Sequence, residues 1–96
     1  MMAQVILSTP ADIDMQGAWS HIADNSVTAA DRMIDRFMEV FRQLESFPLI
    51  GEVHPHPTKT LRLITVPPYV IVYQVAGGDV TIVRILHSAQ QWEKLL

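Results

Sequence analysis

Residues 60–87 read TLRLITVPPYVIVYQVAGGDVTIVRILH, and the alternation in this stretch decides the fold. Three runs, 60–66, 69–75 and 80–87, are dense in β-branched and aromatic residues. Pro67-Pro68 separates the first pair and Ala76-Gly77-Gly78-Asp79 the second, both short turn signals that suit strands folding back on themselves. The reading is a three-stranded antiparallel meander over 60–87. Alternation in the middle run places Tyr69, Ile71, Tyr73 and Val75 on one face and Val70 and Val72 on the other. Both faces are apolar. Helices can cover only one of them, which leaves the other to the C-terminal residues or to a second chain.

Upstream, the segment 51–58 holds Pro55 and Pro57 beside His54 and His56, cannot continue a helix, and reads as an irregular loop. Before it, Ala30, Ile34, Phe37, Phe41 and Leu44 recur every three or four residues. Asp31, Arg32, Asp35, Arg36, Glu39 and Arg42 fill the opposite side, so a long amphipathic helix runs to about Ser46 and stops at Pro48. Asp24, Asn25 and Ser26 make a short polar break with side chains suited to an N-cap. An earlier helix opens with Thr9 as N-cap, Pro10 at the first helical position and Asp12 near the positive end of the dipole. Its apolar stripe is Ala11, Met15, Ala18, Trp19 and Ile22, while Asp14, Gln16 and Ser20 face away; Gly17 lowers its propensity. So short a break implies an antiparallel helical hairpin over 10–46. Residues 3–8, with Val5, Ile6 and Leu7, read as a strand, and 88–96, with Trp92, Leu95 and Leu96, as a tail that is either a short helix or an arm. The expectation is one α+β domain over 1–96: N-terminal strand, antiparallel helical hairpin, three-stranded antiparallel meander, tail.

At 96 residues, 49% hydrophobic and 18% charged, the chain is too apolar for disorder and too short for two domains, and its apolar surplus suggests a surface kept for a partner. A formal charge of −3 gives no chain-wide electrostatic footprint for DNA or RNA. The absence of cysteine excludes disulfides and thiolate metal sites and fits a reducing cytoplasm. No apolar run reaches membrane-spanning length and the N-terminus lacks the regions of a signal peptide, so a cytoplasmic protein is expected. His54 and His56 stand two apart without a third ligand at recognisable spacing, so neither a metal nor a cofactor is expected.

Six short stretches in order carry a resemblance: Trp19-Ser20-His21-Ile22-Ala23 followed by Asn25; Ala29-Ala30-Asp31-Arg32; Phe47-Pro48-Leu49-Ile50-Gly51; Arg62; Tyr69-Val70-Ile71-Val72-Tyr73; and Val83-Arg84-Ile85-Leu86-His87 with Trp92 beyond. Together they resemble the ParE/RelE superfamily, toxins of bacterial type II toxin–antitoxin systems, across nearly the whole chain. The resemblance implies the RelE/ParE-like α+β fold and a cognate antitoxin that wraps and blocks the chain. It also implies one of two actions, inhibition of DNA gyrase on the ParE-like side or ribosome-dependent cleavage of messenger RNA on the RelE-like side.

A ribonuclease needs a base for the ribose 2′-hydroxyl, an acid for the leaving oxygen and cations for the phosphorane charge, and only Lys59, Arg62, Arg84 and His87 could supply them. Two features depart from the RNA-cutting pattern: Ser88-Ala89 rather than a tyrosine follows His87, and the loop before the meander has one lysine rather than a basic cluster. The ParE-like reading, a protein-binding toxin without chemistry of its own, is favoured. Arg62, Tyr69, Tyr73, Arg84, His87 and Trp92 are the candidates for contact with target or antitoxin. The chain also departs from the ParE-like pattern, with Gln90 and Gln91 where arginine and aspartate are frequent and Glu52 where a basic residue is common. A degenerate toxin that only binds antitoxin is therefore a further alternative, as is a homodimer within a toxin–antitoxin hetero-oligomer.

Plainer roles compete at each position. Trp19, Phe37 and Phe41 lie on helical stripes and suit a core; Tyr69 and Tyr73 suit sheet packing; His87 suits a structural hydrogen bond. By alternation Arg84 shares the face of Val80, Ile82 and Leu86, where it needs an acidic partner or a covering chain.

Overall fold

The computed structural model describes residues 2–90 and 92–96. Its order is β1 (Val5–Leu7), α1 (Thr9–Ala23), α2 (Val27–Ser46), β2 (Glu52–His54), β3 (Leu61–Val66), β4 (Tyr69–Ala76), β5 (Asp79–His87) and a single 3₁₀ turn, Trp92–Leu95. The α+β class, the helical hairpin and the meander are as the sequence indicates. The sheet is larger than expected, with five strands in the order β1-β5-β4-β3-β2. β1 runs parallel to β5, with Val5 opposite Val80 and Leu7 opposite Ile82; the other neighbours are antiparallel.

Three local readings are corrected. The segment 51–58 is not wholly irregular, because Glu52, Val53 and His54 pair with Leu63, Arg62 and Leu61 before Pro55 ends the strand. The N-cap of α1 is Ser8, not Thr9: its Oγ accepts from the Ala11 amide at 3.1 Å and donates to the Val83 carbonyl at 2.9 Å. One hydroxyl thus caps the helix and satisfies β5 just beyond the end of β1, an arrangement unavailable to Thr9 inside the helix. In α1, Asp14 does not face away but turns to β5, and Trp19 lies outside the core.

The hairpin packs on one sheet face. Ala30, Met33, Phe37, Phe41 and Leu44 of α2 and Ala11 and Ala18 of α1 are buried on the side of the sheet that carries Tyr69, Ile71, Tyr73, Val80, Ile82 and Ile85. Phe37 meets the Tyr69 ring edge-on at 5.7 Å between centroids, a favourable aromatic geometry. Ser26 caps α2 through the Ala29 amide, and the Trp19 indole donates to Asp31 at 2.9 Å, bracing the two helices together. The β4–β5 turn has positive φ at both Gly77 and Gly78, which a side chain would resist.

The opposite sheet face, left open by the sequence between tail and second chain, is covered by the tail. Leu61, Val70 and Val72 are buried beneath Trp92 and Leu96. His54 and His56 hold that cover in place: the His54 ring lies 5.3 Å from the Trp92 ring, and His56 Nε2 is 3.0 Å from the Leu96 carbonyl oxygen. His56 Nδ1 accepts from the amides of Thr58 and Lys59, so the proton sits on Nε2, which donates to Leu96. Among the described residues no helix is long and apolar enough to cross a membrane.

Candidate functional site

The candidate site lies where α1 crosses the end of β5. β1 pairs with β5 only as far as Ile82, and a register shift between Val72 and Tyr73 follows: Tyr73 faces Ile82 while Val72 faces Arg84, leaving Val83 as the extra residue of a bulge. The bulge resets the alternation, so Ile82 and Ile85 both reach the helix-side core. Arg84 sits in the row of Val72, not with Val80 and Ile82 as alternation suggests. From there it reaches the open edge of β5, where Asp14 takes it in a fork: Nε to one carboxylate oxygen at 2.7 Å and Nη2 to the other at 3.0 Å. The first of those oxygens also accepts from the Ile85 amide at 3.0 Å. Asp14 thus replaces the missing strand at the sheet edge, and its hydrogen bonds raise the Arg84 guanidinium above its ordinary value against the opposing effect of burial.

Beside this pair a groove runs between α1 and the sheet. One depression of about 450 Å³ is walled by Ile13, Gly17 and His21 on α1 and by Ile85 and His87 on β5. A second, of about 360 Å³, continues toward Asn25, Ser26 and Met33. His21, Tyr69 and His87 border both. Gly17 keeps the wall low: a Cβ there would meet nothing within 4 Å. Tyr69 is almost wholly buried and offers only its rim, and burial raises its hydroxyl above the usual 10.0. The His87 ring meets Tyr69 edge-on at 5.3 Å, and its Nδ1 accepts from the Ala89 amide at 3.0 Å. A nitrogen that accepts from an amide carries its lone pair, so the neutral ring has its proton on Nε2 and donates from there.

The four groups that RNA cleavage requires are not brought together. Arg62 lies opposite Tyr73 and His87 opposite Tyr69, four residues apart along β4 and so roughly 13 Å apart along the sheet. The Arg62 guanidinium donates to the carbonyls of Leu49 and Gly51, at 3.2 and 2.8 Å, and pins that loop to β3. Lys59 is exposed on the loop entering β3, at the end away from His87. Arg84 is held by Asp14. Of the contact candidates, Tyr73 is fully buried, its hydroxyl accepting from the Gly51 amide at 2.8 Å and raised mainly by burial; Trp92 is half-buried against His54. Only His87 and the rim of Tyr69 remain at the groove. Gln90, whose Oε1 accepts from the His87 amide at 2.9 Å, borders it too, while Gln91 lies outside the described residues. Asp14, Gly17 and His21 were not legible as site residues. The only signals were an exposed glycine in mid-helix and a histidine inside one of the resembling stretches.

A helical hairpin packed on one face of a five-stranded sheet, with a largely apolar groove between α1 and β5, defines a small α+β protein. The sequence profile of the ParE toxin of type II toxin–antitoxin systems, parDE, matches residues 5–92. The chain belongs to this family and is the toxin component of a type II toxin–antitoxin system, with an antitoxin as its partner. It is 42% identical over 90 residues to Toxin RelE2 of Caulobacter vibrioides, covering 93% of this chain and 99% of that protein. To Toxin ParE3 of the same organism it is 31% identical over 86 residues, covering 88% of this chain and 86% of the relative. A structure described as the chromosomal ParDE TA system from P. aeruginosa has the same fold, with TM-score 0.75 and 19% identity over 90% of this chain and 96% of that one.

Proposed function

We propose that this toxin arrests growth by binding DNA gyrase through the groove between α1 and β5, and that its antitoxin blocks that groove. The dispersal of Lys59, Arg62, Arg84 and His87 carries the reading. Phosphoryl chemistry needs its base, acid and cations within a few ångströms of one phosphate, and here two arginines are consumed by structural partners. The net charge of −3 also gives no attraction to ribosomal RNA. The name RelE2 carried by the relative at 42% identity favours a second reading, messenger RNA cleavage on the ribosome.

The test is a gyrase supercoiling assay with antitoxin-free protein titrated against relaxed plasmid, run beside a map of message ends in arrested cells. Loss of supercoiling with intact messages is expected. Unaffected gyrase with newly cut messages would overturn the proposal, and unimpaired growth on strong expression would indicate a degenerate toxin. Gly17→Trp supplies the control: nothing stands within 4 Å of its Cβ, so the indole fills the groove, and gyrase inhibition should disappear while the circular dichroism spectrum is unchanged.

A further inference from the structure

The free edge of the sheet opposite β1 is β2, and nothing in the groove argument uses it. Edge strands are ordinarily protected by lysines, inward charges or covering loops, because their unpaired amides and carbonyls can template another strand. β2 has the shortness and the flanking Pro55 of a protected edge, but it follows an apolar run in which Phe47, Leu49 and Ile50 are 64%, 61% and 51% exposed, and its own central residue, Val53, is 56% exposed. Arg62 anchors this run by gripping the carbonyls of Leu49 and Gly51, so the apolar side chains are presented from a fixed backbone.

We infer that β2 is a self-association edge, at which two copies of this chain pair antiparallel about a two-fold axis through Val53. The register follows from the sequence. Gly51 before the strand and Pro55 after it leave only Glu52, Val53 and His54 to pair. Centring the pairing on Val53 sets valine against valine and Glu52 against His54 of the second copy, twice by symmetry. A carboxylate acceptor then faces an imidazole donor, on the same side of the sheet in both copies, because Glu52 and His54 share a face. Any one-residue slip loses both matches. The Glu52–His54 match, made twice by symmetry, argues for a second copy rather than an unrelated segment. The same axis carries Phe47, Leu49 and Ile50 of each copy alongside the 55–58 loop of the other. The exposed apolar surface of Phe47, Leu49, Ile50 and Val53 is then available from each copy, a patch smaller than a standard interface, so the dimer is weak and depends on concentration.

The chain has no cysteine, so Val53→Cys gives a single thiol. Directly opposed residues of antiparallel strands have Cα atoms roughly 4.5–5.5 Å apart, within the range a disulfide spans. Under mild oxidation the antitoxin-free Val53→Cys protein should form a covalent dimer on the order of ten-fold faster than a Val27→Cys control, which is equally exposed but on α2. Sedimentation velocity should show the unmodified chain passing from monomer to dimer as concentration rises. Glu52→Lys should shift it toward monomer while the circular dichroism spectrum is unchanged. A monomer at every concentration, with equal disulfide rates at positions 53 and 27, would overturn the inference. So would protection of the Val53→Cys thiol from a maleimide only in the antitoxin complex, which would assign the edge to the antitoxin.

Discussion

Replacing Asp14 with alanine removes three hydrogen bonds at once: two from the Arg84 guanidinium and one from the Ile85 amide. The carboxylate is 14% exposed and the guanidinium 25%, so neither is fully screened and neither is in the deep interior. A hydrogen bond to a charged group contributes about 1.5–3 kcal/mol, but the freed guanidinium recovers part of its hydration and lowers the sum. The expected loss is about 2–3 kcal/mol, or a fall in Tm of roughly 10–20 °C for a chain of this size. Urea unfolding of the single variants Asp14→Ala and Arg84→Ala and of the double variant should give a coupling of about 1–2 kcal/mol. Asp14→Asn keeps an acceptor for Ile85 and should fall between wild type and Asp14→Ala. A loss below about 0.5 kcal/mol, or strict additivity in the cycle, would refute the role given to Asp14 as the substitute for a missing edge strand. The same series bears on toxicity. If Arg84 is a brace, its variants lose activity only as far as they lose folded protein, and Arg84→Lys, which cannot form the fork, loses part of both.

Gly51→Ala sets a Cβ 2.6 Å from both Cε1 and Oη of the buried Tyr73, and should cost about 1–3 kcal/mol in urea unfolding as the ring is displaced. Phe37→Ala empties the centre of the helix–sheet interface, where the ring is fully buried, and should cost about 3–5 kcal/mol in the same assay. Burial raises the hydroxyls of both Tyr69 and Tyr73 above 10.0, so folding favours their neutral forms. That contribution is complete below pH 10.0 and is lost as pH rises toward the folded values; urea midpoints should therefore fall above pH 10.0, and Tyr73→Phe should flatten part of the decline.

The meander was legible because alternation, turn residues and apolar density all agree over 60–87, and the helical hairpin because Ala30, Phe37, Phe41 and Leu44 recur with helical spacing. β2 was not, because three residues framed by Gly51, Pro55 and Pro57 carry too little pattern to outweigh those breakers, and their pairing with β3 is a tertiary fact. The bulge at Val83 was equally hidden. It inserts one residue without altering composition, and it moved Arg84 from the row of Ile82 to that of Val72. Asp14 was misplaced for a related reason: helical periodicity shows that it leaves the apolar stripe, but not that an open strand edge waits on that side.

The arginines show why a site was harder to read than the fold. In sequence, Arg62 and Arg84 stand in strands beside a histidine, a pattern that suits a phosphate clamp as well as it suits anything else. A chain with 49% hydrophobic residues and only seven lysines and arginines buries much of its sheet, and a partly buried guanidinium must find acceptors in the fold before it can serve a ligand. Arg62 finds two loop carbonyls and Arg84 finds Asp14. The groove proposed for the partner, kept open by Gly17 between His21 and His87, uses neither arginine. It has no sequence motif because it is made by a side chain that is absent.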